Sequence, residues 1–251
     1  MTEPLRIAYL TSFYARPSDS FIRNEVNKLR ERGVEVHTFS IRRPSVVPSD
    51  EPDVDWHQHS TEYLLEAPLL RFVWHTLCVA AKSPKRFVSA CRLAWRTAAP
   101  GIRGGLRQIA YLVEAAYLAA RLRELGVALL HNHFGENSAT VAMLSSELSG
   151  IPFSHTIHGP YVFFAPEKWA LGEKLERASA TVCISDFCRS QCQMFASPTT
   201  WDRLHVVRCS VQPIFVKPPP PRSLPPRTHF LCVGRLCAEK GQLLILDAVH
   251  R

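Results

Sequence analysis

The sequence predicts an α/β protein built on a doubly wound parallel sheet, followed by the start of a second domain. Three observations lead to this prediction. Short apolar runs alternate with stretches whose apolar residues recur at helical spacing, as they do in βαβ units. The first such unit fits within residues 5–41, which suits a right-handed crossover between parallel strands. A proline-rich segment, Val216–Thr228, then separates one last apolar run from the rest.

Composition places the chain among globular proteins. It has 251 residues, of which 46% are hydrophobic and 21% charged, enough for one large domain or two. We expect no secretory leader, because Arg6 and an apolar strand follow the first residues at once. The longest charge-free apolar stretch near the middle, Phe72–Ala81, is too short to cross a bilayer. The eight cysteines lack paired spacing, which favours reduced thiols and a cytoplasmic location.

The elements follow in order from the first strand, Leu5–Thr11. Ser18-Asp19-Ser20 supplies N-cap chemistry for a helix that Gly33 ends, and Val34–Ile41 is the second strand. An irregular connection is expected over Arg42–Tyr63. After residue 125 we expect strands and helices in alternation, at Val127–His131, Ser138–Leu148, Pro152–Ile157, Glu167–Arg177, Ala180–Ile184, a helix capped by Ser185-Asp186, and Leu204–Cys209. Gly150 is expected to end the helix at Ser138–Leu148.

A basic helical insertion is predicted at about 69–125. Leu69–Leu125 holds ten Lys or Arg and two acids, a surplus that equals the net charge of +8 of the whole chain. Prolines and a glycine pair divide it into about three helices. Tryptophans among these cations are typical of helices that lie on an anionic membrane surface. We therefore expect the protein to bind peripherally to a membrane through this insertion. The alternative is an ordinary helical insertion with solvated arginines. No nucleic-acid-reading motif accompanies the charge, so we predict no nucleic-acid partner.

Two histidines follow adjacent predicted strands. His133 comes just after one strand, and His158 directly after the next. Parallel strands end at the same edge of a sheet, where open α/β sheets form their sites. These two residues are therefore the candidate catalytic residues, although either could simply cap a strand end.

Two groups of potential metal ligands precede the final segment. His57 and His59 are separated by one residue, without a third placed ligand, and Cys183, Cys188 and Cys192 lack a fourth. Cysteines one helical turn apart more often serve as small apolar side chains in a core than as metal ligands. We predict no metal site.

The final segment, His229–Arg251, predicts a strand, a turn with two cations and a helix. Gly234, Arg235 and Lys240 are the candidate residues for binding a nucleotide. Two cations beside a helix N-terminus suit a diphosphate, because fixed charge and free N–H groups point the same way. The alternative is a solvated Arg and Lys on an ordinary strand–helix turn.

Several of these stretches together resemble the family 4 glycosyltransferases, which have the GT-B fold. V-G-R-L-x-x-x-K-G at 233–241 resembles the opening of that family's second domain. H-x-H-F-G at 131–135, followed by G-I-P-F-x-x-T-x-H-G at 150–159, resembles its first domain. S-D-S-F-I at 18–22, with R-G-V-E-V at 32–36, resembles members that build exopolysaccharide. Cys209–Phe215 is similar to the C-G-V-D-P-x-F hinge, with Ser210 and Gln212 substituted.

The resemblance implies transfer of a sugar from a nucleotide diphosphate to a glycan or lipid-linked acceptor, with retention. It implies that Arg235 and Lys240 hold the diphosphate and that His158 lies beside donor sugar and acceptor, while His133 shapes the cleft. No cofactor or metal is implied. The domains would be an acceptor-side domain at 1–215, a linker at 216–228 and, at 229–251, the start of an incomplete donor-binding domain.

The resemblance covers the whole chain, yet the chain corresponds to only part of such an enzyme. We therefore expect a truncated form with little or no transferase activity. The main alternative is a non-catalytic acceptor- or lipid-binding module that retains only the N-terminal transferase frame. A different GT-B enzyme, such as a nucleotide-sugar epimerase or a phosphorylase, fits the turns less well.

Overall fold

The computed structural model describes residues 4–45, 52–210, 230–234 and 236–250. It divides into two compact units, Met1–Ser210 and Val211–Arg251, which are described separately. The predicted linker at 216–228 lies outside the described residues.

The first unit is an α/β domain around one seven-stranded sheet. The strands are β1 (Arg6–Phe13), β2 (Glu35–Arg42), β3 (Thr61–Tyr63), β4 (Leu129–His133), β5 (Phe153–Ile157), β6 (Ala180–Cys183) and β7 (Leu204–Val206). Every neighbouring pair is parallel, and the order is β3-β2-β1-β4-β5-β6-β7. The predicted parallel α/β fold is confirmed, and it is that of a GT-B-like, Rossmann-type domain.

Helices connect the strands and cover the sheet. In the described residues they are α1 (Ser20–Glu31), α2 (Pro52–His59), α3 (Leu69–Lys82), α4 (Pro84–Arg96), α5 (Ile102–Glu124), α6 (Asn137–Ser149), α7 (Tyr161–Phe164), α8 (Leu171–Arg177), α9 (Asp186–Phe195) and α10 (Gln242–His250). The predicted glycine stops are confirmed, since Gly33 after α1 has a φ of +82° and Gly150 after α6 one of +79°.

Residues of β1 alternate between the two faces of the sheet, as the pleat requires. Ala8 and Leu10 pack into the larger core, which α5 and α6 also line. Ile7 and Tyr9 pack on the opposite side against α1. A central strand that is buried on both faces reads as a continuous apolar run, which is why this strand was recognisable in the sequence.

The predicted helical insertion is formed by α3, α4 and α5. Phe72, Leu93 and Tyr117 bury their side chains in the larger core, one from each helix. The turn between α4 and α5 depends on Gly104, because a Cβ there would lie 1.9 Å from the carbonyl oxygen of Ala99. None of the helices in the described part of the chain has the length and apolar character that crossing a bilayer requires.

Two local predictions in the first unit are wrong. The connection predicted as irregular contains α2 and the edge strand β3, which pairs with β2. Polar residues dominate α2, so apolar periodicity gives no signal there. Asp19 does not cap α1 with its side chain; instead its carboxylate accepts a hydrogen bond from Arg16 at 2.7 Å.

The second unit contains a 3₁₀ turn at Ala238–Lys240 and the predicted helix, α10. The strand predicted at Phe230–Val233 does not form, and these side chains are largely exposed. A strand needs a neighbour to accept its ladder hydrogen bonds, and no described residue pairs with this segment.

Candidate active site

The site lies where the winding of the sheet reverses. From β1 the strand order runs through β2 to β3 on one side, and from β4 to β7 on the other. Open α/β sheets bind ligands in the crevice at such a switch point, outside the carboxyl ends of the strands. His133 ends β4, and His158 follows the end of β5, next to this point.

The structure brings His133 and His158 into direct contact. Nδ1 of His133 lies 2.8 Å from Nε2 of His158, and the rings stack with centroids 5.1 Å apart. His133 is fully buried and His158 is half-buried. Phe21 and Phe134 contact the His158 ring at centroid distances of 4.7 and 5.0 Å. His133 therefore supports a histidine whose ring orientation is set by aromatic neighbours.

Glu25 of α1 sets the direction of this hydrogen bond. Its carboxylate lies 3.8 Å from Nε2 of His133, and it also accepts a 2.5 Å hydrogen bond from the Tyr9 hydroxyl. Negative charge on this side favours a proton on Nε2 of His133, which leaves its Nδ1 as an acceptor. His158 then donates from Nε2, and its Nδ1 is an acceptor that faces the exposed Cys209 thiol at 3.8 Å.

Burial keeps these imidazoles neutral. It lowers the pKa of His158 to about 4, and that of His131 to about 4, while the pKa of His133 falls well below its usual value. At neutral pH the site presents uncharged imidazole to a ligand. Such a group suits hydrogen bonding to a hydroxyl rather than pairing with an anion.

Lys174 of α8 holds the turn that follows His133. Its side chain is fully buried, and its Nζ donates to the carbonyl oxygens of Gly135 and Glu136, both at 2.8 Å. Burial lowers the pKa of Lys174 to about 7. The ammonium is the hydrogen-bond partner of the Gly135 carbonyl, whereas the Glu136 carbonyl also accepts from the Thr140 amide at 3.3 Å. Lys174 therefore positions the residues just after β4.

Two loop residues beside the site adopt left-handed backbone. Ala15, after β1, has a φ of +60°, and Phe134, after β4, has one of +72°. Non-glycine residues hold such conformations at a cost of roughly 1–3 kcal/mol, and they cluster at functional sites. Ala15 is fully buried, and its carbonyl oxygen accepts a hydrogen bond from Gln58. The surrounding packing therefore holds this strained turn in place.

Metal ligation at this site competes with hydrogen bonds that are already formed. Glu25, His131 and His133 have potential ligand atoms within 4.8 Å of one another. Both ring nitrogens of His131 are already engaged, with Ser154 at 2.7 Å and Thr156 at 3.0 Å. His57, the other sequence candidate, uses its nitrogens on Tyr14 and Asn27.

The residues predicted to bind the donor belong to the second unit. The Lys240 side chain passes close to Gly234, since a Cβ built on that glycine would lie 3.3 Å from Cγ of Lys240. Arg235 lies outside the described residues.

Sequence reasoning missed three residues that support the histidine pair: Tyr9, Glu25 and Lys174. For Tyr9 a signal was present, because its place in β1 puts it on the α1 face. Glu25 lies one turn after Phe21 on α1, so the two share a helix face. Lys174 gave no signal, because a lysine in a helix with acidic neighbours is typical of a solvated surface.

Comparison with known families agrees with this fold and site. The family model described as Glycosyltransferase Family 4 matches residues 19–215, most of the chain. The match includes His133 and His158 and ends before Gly234. This parallel α/β domain, with its polar site at the switch point, is therefore a glycosyltransferase domain. The chain belongs to glycosyltransferase family 4. A comparison with curated proteins found no match.

Proposed function

We propose that this chain carries the acceptor-side domain of a retaining glycosyltransferase of exopolysaccharide synthesis. It would move a sugar from a nucleotide diphosphate to a glycan or lipid-linked acceptor. The observation that carries the proposal is the hydrogen-bonded pair of His133 and His158 at the switch point of a family 4 domain. The domain boundaries in this proposal are 1–215, 216–228 and 229–251.

His158 is the residue proposed to touch the sugar and the acceptor. Its Nδ1 is left as an acceptor when His133 takes the hydrogen bond from its Nε2, and a ligand hydroxyl would displace the exposed Cys209 thiol that lies 3.8 Å from this nitrogen. A sugar hydroxyl can donate to this lone pair at neutral pH, because burial lowers the pKa of His158 to about 4 and keeps the ring uncharged. His133 is a positioning residue, since it is buried and acts on the ligand through His158.

Gly234, Arg235 and Lys240 are proposed to bind the diphosphate of the donor. Two cations offset the charge of a leaving diphosphate by direct electrostatics, so the proposal needs no metal and no cofactor. The glycine leaves space for a phosphate to approach the backbone.

A nucleotide-binding measurement tests the donor side and separates the enzyme from the alternative. Calorimetric titration of the 251-residue protein with a panel of sugar nucleotides should detect binding. Arg235→Ala and Lys240→Ala should each weaken it about 10- to 100-fold, as expected for hydrogen bonds to charged groups. Lys85→Ala, an exposed lysine on α4, is the matched control. Absence of binding at millimolar concentration would favour the non-catalytic acceptor- or lipid-binding module.

Turnover by the 251-residue polypeptide is proposed to be low. In the second unit the described elements are one 3₁₀ turn and one helix, and none of the residues of α10 is buried. A nucleotide pocket is concave and encloses most of its ligand. Efficient hydrolysis or transfer of a sugar nucleotide by the pure polypeptide would contradict this part of the proposal.

The helical insertion is proposed to contact an anionic membrane surface, which places the protein peripherally on the cytoplasmic face. Large apolar side chains are exposed at helical spacing on all three helices, including Trp74 at 65% and Trp95 at 81% exposure. On α4, Arg92 and Trp95 lie one turn apart, so cation and aromatic ring share a face. The exposed apolar side chains are Leu69, Leu70, Val73, Trp74 and Leu77 on α3, Val88 and Trp95 on α4, and Ile102, Leu106 and Ile109 on α5.

Vesicle co-sedimentation tests the membrane proposal. Arg92 and Arg103 are exposed and have no acidic partner in the described part of the chain, whereas Arg96 pairs with Glu173. Arg92→Glu with Arg103→Glu should reduce binding to anionic vesicles by at least about 30-fold, at roughly 1 kcal/mol per cation removed. Arg32→Glu, exposed at the end of α1, should change little. Equal binding of all three proteins would rule the proposal out.

A further inference from the structure

Three buried cysteine side chains converge next to the strand end that carries His158. The sulfur atoms of Cys183, Cys188 and Cys192 all lie within 4.8 Å of one another. Cys183 and Cys192 are 3.9 Å apart at Sγ, and the Cys188 thiol lies 3.5 Å from the carbonyl oxygen of Ile157. None of the three is more than 4% exposed.

The backbone fixes this convergence. Cys183 is the last residue of β6, paired in register with Ile157 of β5. Cys188 and Cys192 are four residues apart on α9 and therefore share a face. Ser185 holds the start of α9 by accepting a 3.1 Å hydrogen bond from the Cys188 amide. The three sulfurs are thus supplied by regular elements, which suits a preformed ligand set.

The spacing fits coordination rather than a disulfide. All three cysteines are free thiols, and 3.9 Å is far from the sulfur–sulfur bond length of about 2.05 Å. Metal–sulfur bonds of about 2.3 Å place sulfurs about 3.8 Å apart in tetrahedral geometry and about 4.0 Å apart in trigonal geometry. The cluster can therefore close around an ion with little movement of β6 or α9.

We propose that Cys183, Cys188 and Cys192 form a binding site for a soft, thiophilic cation with a filled d shell, of the class of Cu⁺. Thiolates select such ions, and no fourth His, Cys, Asp or Glu joins the cluster among the described residues. Three sulfur ligands satisfy Cu⁺. Zn²⁺ prefers four ligands, so we expect it to bind more weakly to this site. The site is distinct from the sugar site and independent of the proposed transfer.

The charge of the cluster also suits a cation. The Cys183 thiol lies 3.9 Å from Sγ of Cys192, the Cys188 thiol donates to the Ile157 carbonyl, and no described lysine or arginine is hydrogen-bonded to the cluster. No fixed positive charge therefore contacts the sulfurs. Binding displaces thiol protons to solvent, so affinity should rise with pH.

The test uses the reduced 251-residue chain with Cys209, Cys232 and Cys237 changed to Ser. It is titrated with Cu⁺ against a competing chelator, and with Zn²⁺ alone. We expect one tightly bound Cu⁺, an ultraviolet thiolate-to-metal absorption band and a Tm rise of about 5–10 °C at hundredfold excess over Kd. X-ray absorption should count three sulfur ligands.

Alanine variants locate the site. Cys183→Ala, Cys188→Ala and Cys192→Ala should each weaken Cu⁺ binding at least about 100-fold, the upper end of what losing a supporting group costs. Cys78→Ala, a half-buried cysteine on α3, is the matched control and should bind as the parent does. Undiminished binding by Cys192→Ala, or fewer than three sulfurs in the parent, overturns the proposal. If an alanine variant fails to fold, the sulfur count in the parent decides.

Discussion

Replacing Lys174 by Met tests whether a buried ammonium holds the turn beside His133. The substitution keeps most of the side-chain volume but removes both hydrogen bonds to the carbonyls of Gly135 and Glu136. The substitution leaves the Gly135 carbonyl without its hydrogen-bond partner, at a cost of about 1–3 kcal/mol, whereas the Glu136 carbonyl keeps the Thr140 amide. We therefore expect a loss of about 1–3 kcal/mol, which lowers Tm by about 2–12 °C.

The pH dependence makes this prediction specific. Burial lowers the pKa of Lys174 to about 7 in the folded protein, against about 10.5 when unfolded. Between pH 7 and about 10.5 the unfolded state binds one more proton at Lys174 than the folded state does. The unfolding free energy of the wild type therefore rises with pH in this window, and the gain is lost as pH falls to 7. Lys174→Met lacks this gain. The difference in unfolding free energy should thus be roughly 1–3 kcal/mol larger at pH 9 than at pH 6.5.

Urea unfolding of the wild type and the variant at both pH values measures the effect. Lys85→Met, exposed on α4, controls for the loss of a positive charge and should leave both free energies within about 0.5 kcal/mol. A pH-independent difference for Lys174→Met would show that burial does not lower the pKa of Lys174, and a difference as small as the control's would show that Lys174 does not hold the turn.

Three further predictions concern the sheet, the histidine pair and the insertion. His155→Gln should resist acid unfolding better than wild type. Burial lowers the pKa of His155 to about 3, so the wild-type protein loses unfolding free energy as pH falls from 6.5 towards that value. Circular dichroism against pH checks this, with exposed His59→Gln as control, and identical acid midpoints would contradict it. Glu25→Gln should move the proton on His133 from Nε2 towards Nδ1, which nitrogen NMR of the imidazoles detects; an unchanged tautomer would show that Glu25 does not set it. Gly104→Ala should destabilise by about 1–3 kcal/mol through its clash with Ala99, whereas Gly105→Ala, with open space at its Cβ, should be neutral or stabilising in thermal unfolding, and equal effects would contradict the packing argument.

The sequence was sufficient for six of the seven strands of the sheet because their signals are local. Apolar runs such as β1 and the glycine stops after α1 and α6 depend on residues that are neighbours in the chain. The placement of His133 and His158 at one edge followed from the parallel order alone. In contrast, α2 and β3 were missed, since a polar helix and a three-residue edge strand form through contacts with β2 and α1. Such tertiary contacts leave no periodic pattern.

The support of the site was beyond sequence reasoning for the same reason. Glu25 and His133 are more than a hundred residues apart, and only the packing of α1 on the sheet brings them within 3.8 Å. Lys174 reaches the turn after β4 from a helix 39 residues away from Gly135. The cysteine cluster shows the same limit, because Cys188 and Cys192 share a helix face by spacing, but Cys183 joins them only through the position of α9 beside β6.

The strained turns show why the switch point, rather than any single motif, defines this site. Ala15 and Phe134 have left-handed backbone where β1 and β4 end, the two strands between which the order reverses. Buried side chains hold both conformations, Tyr14 beside Ala15 and Asn132, which donates to the carbonyl of Phe134. The core therefore maintains both strained turns, and both lie at the ends of the two strands between which the order reverses.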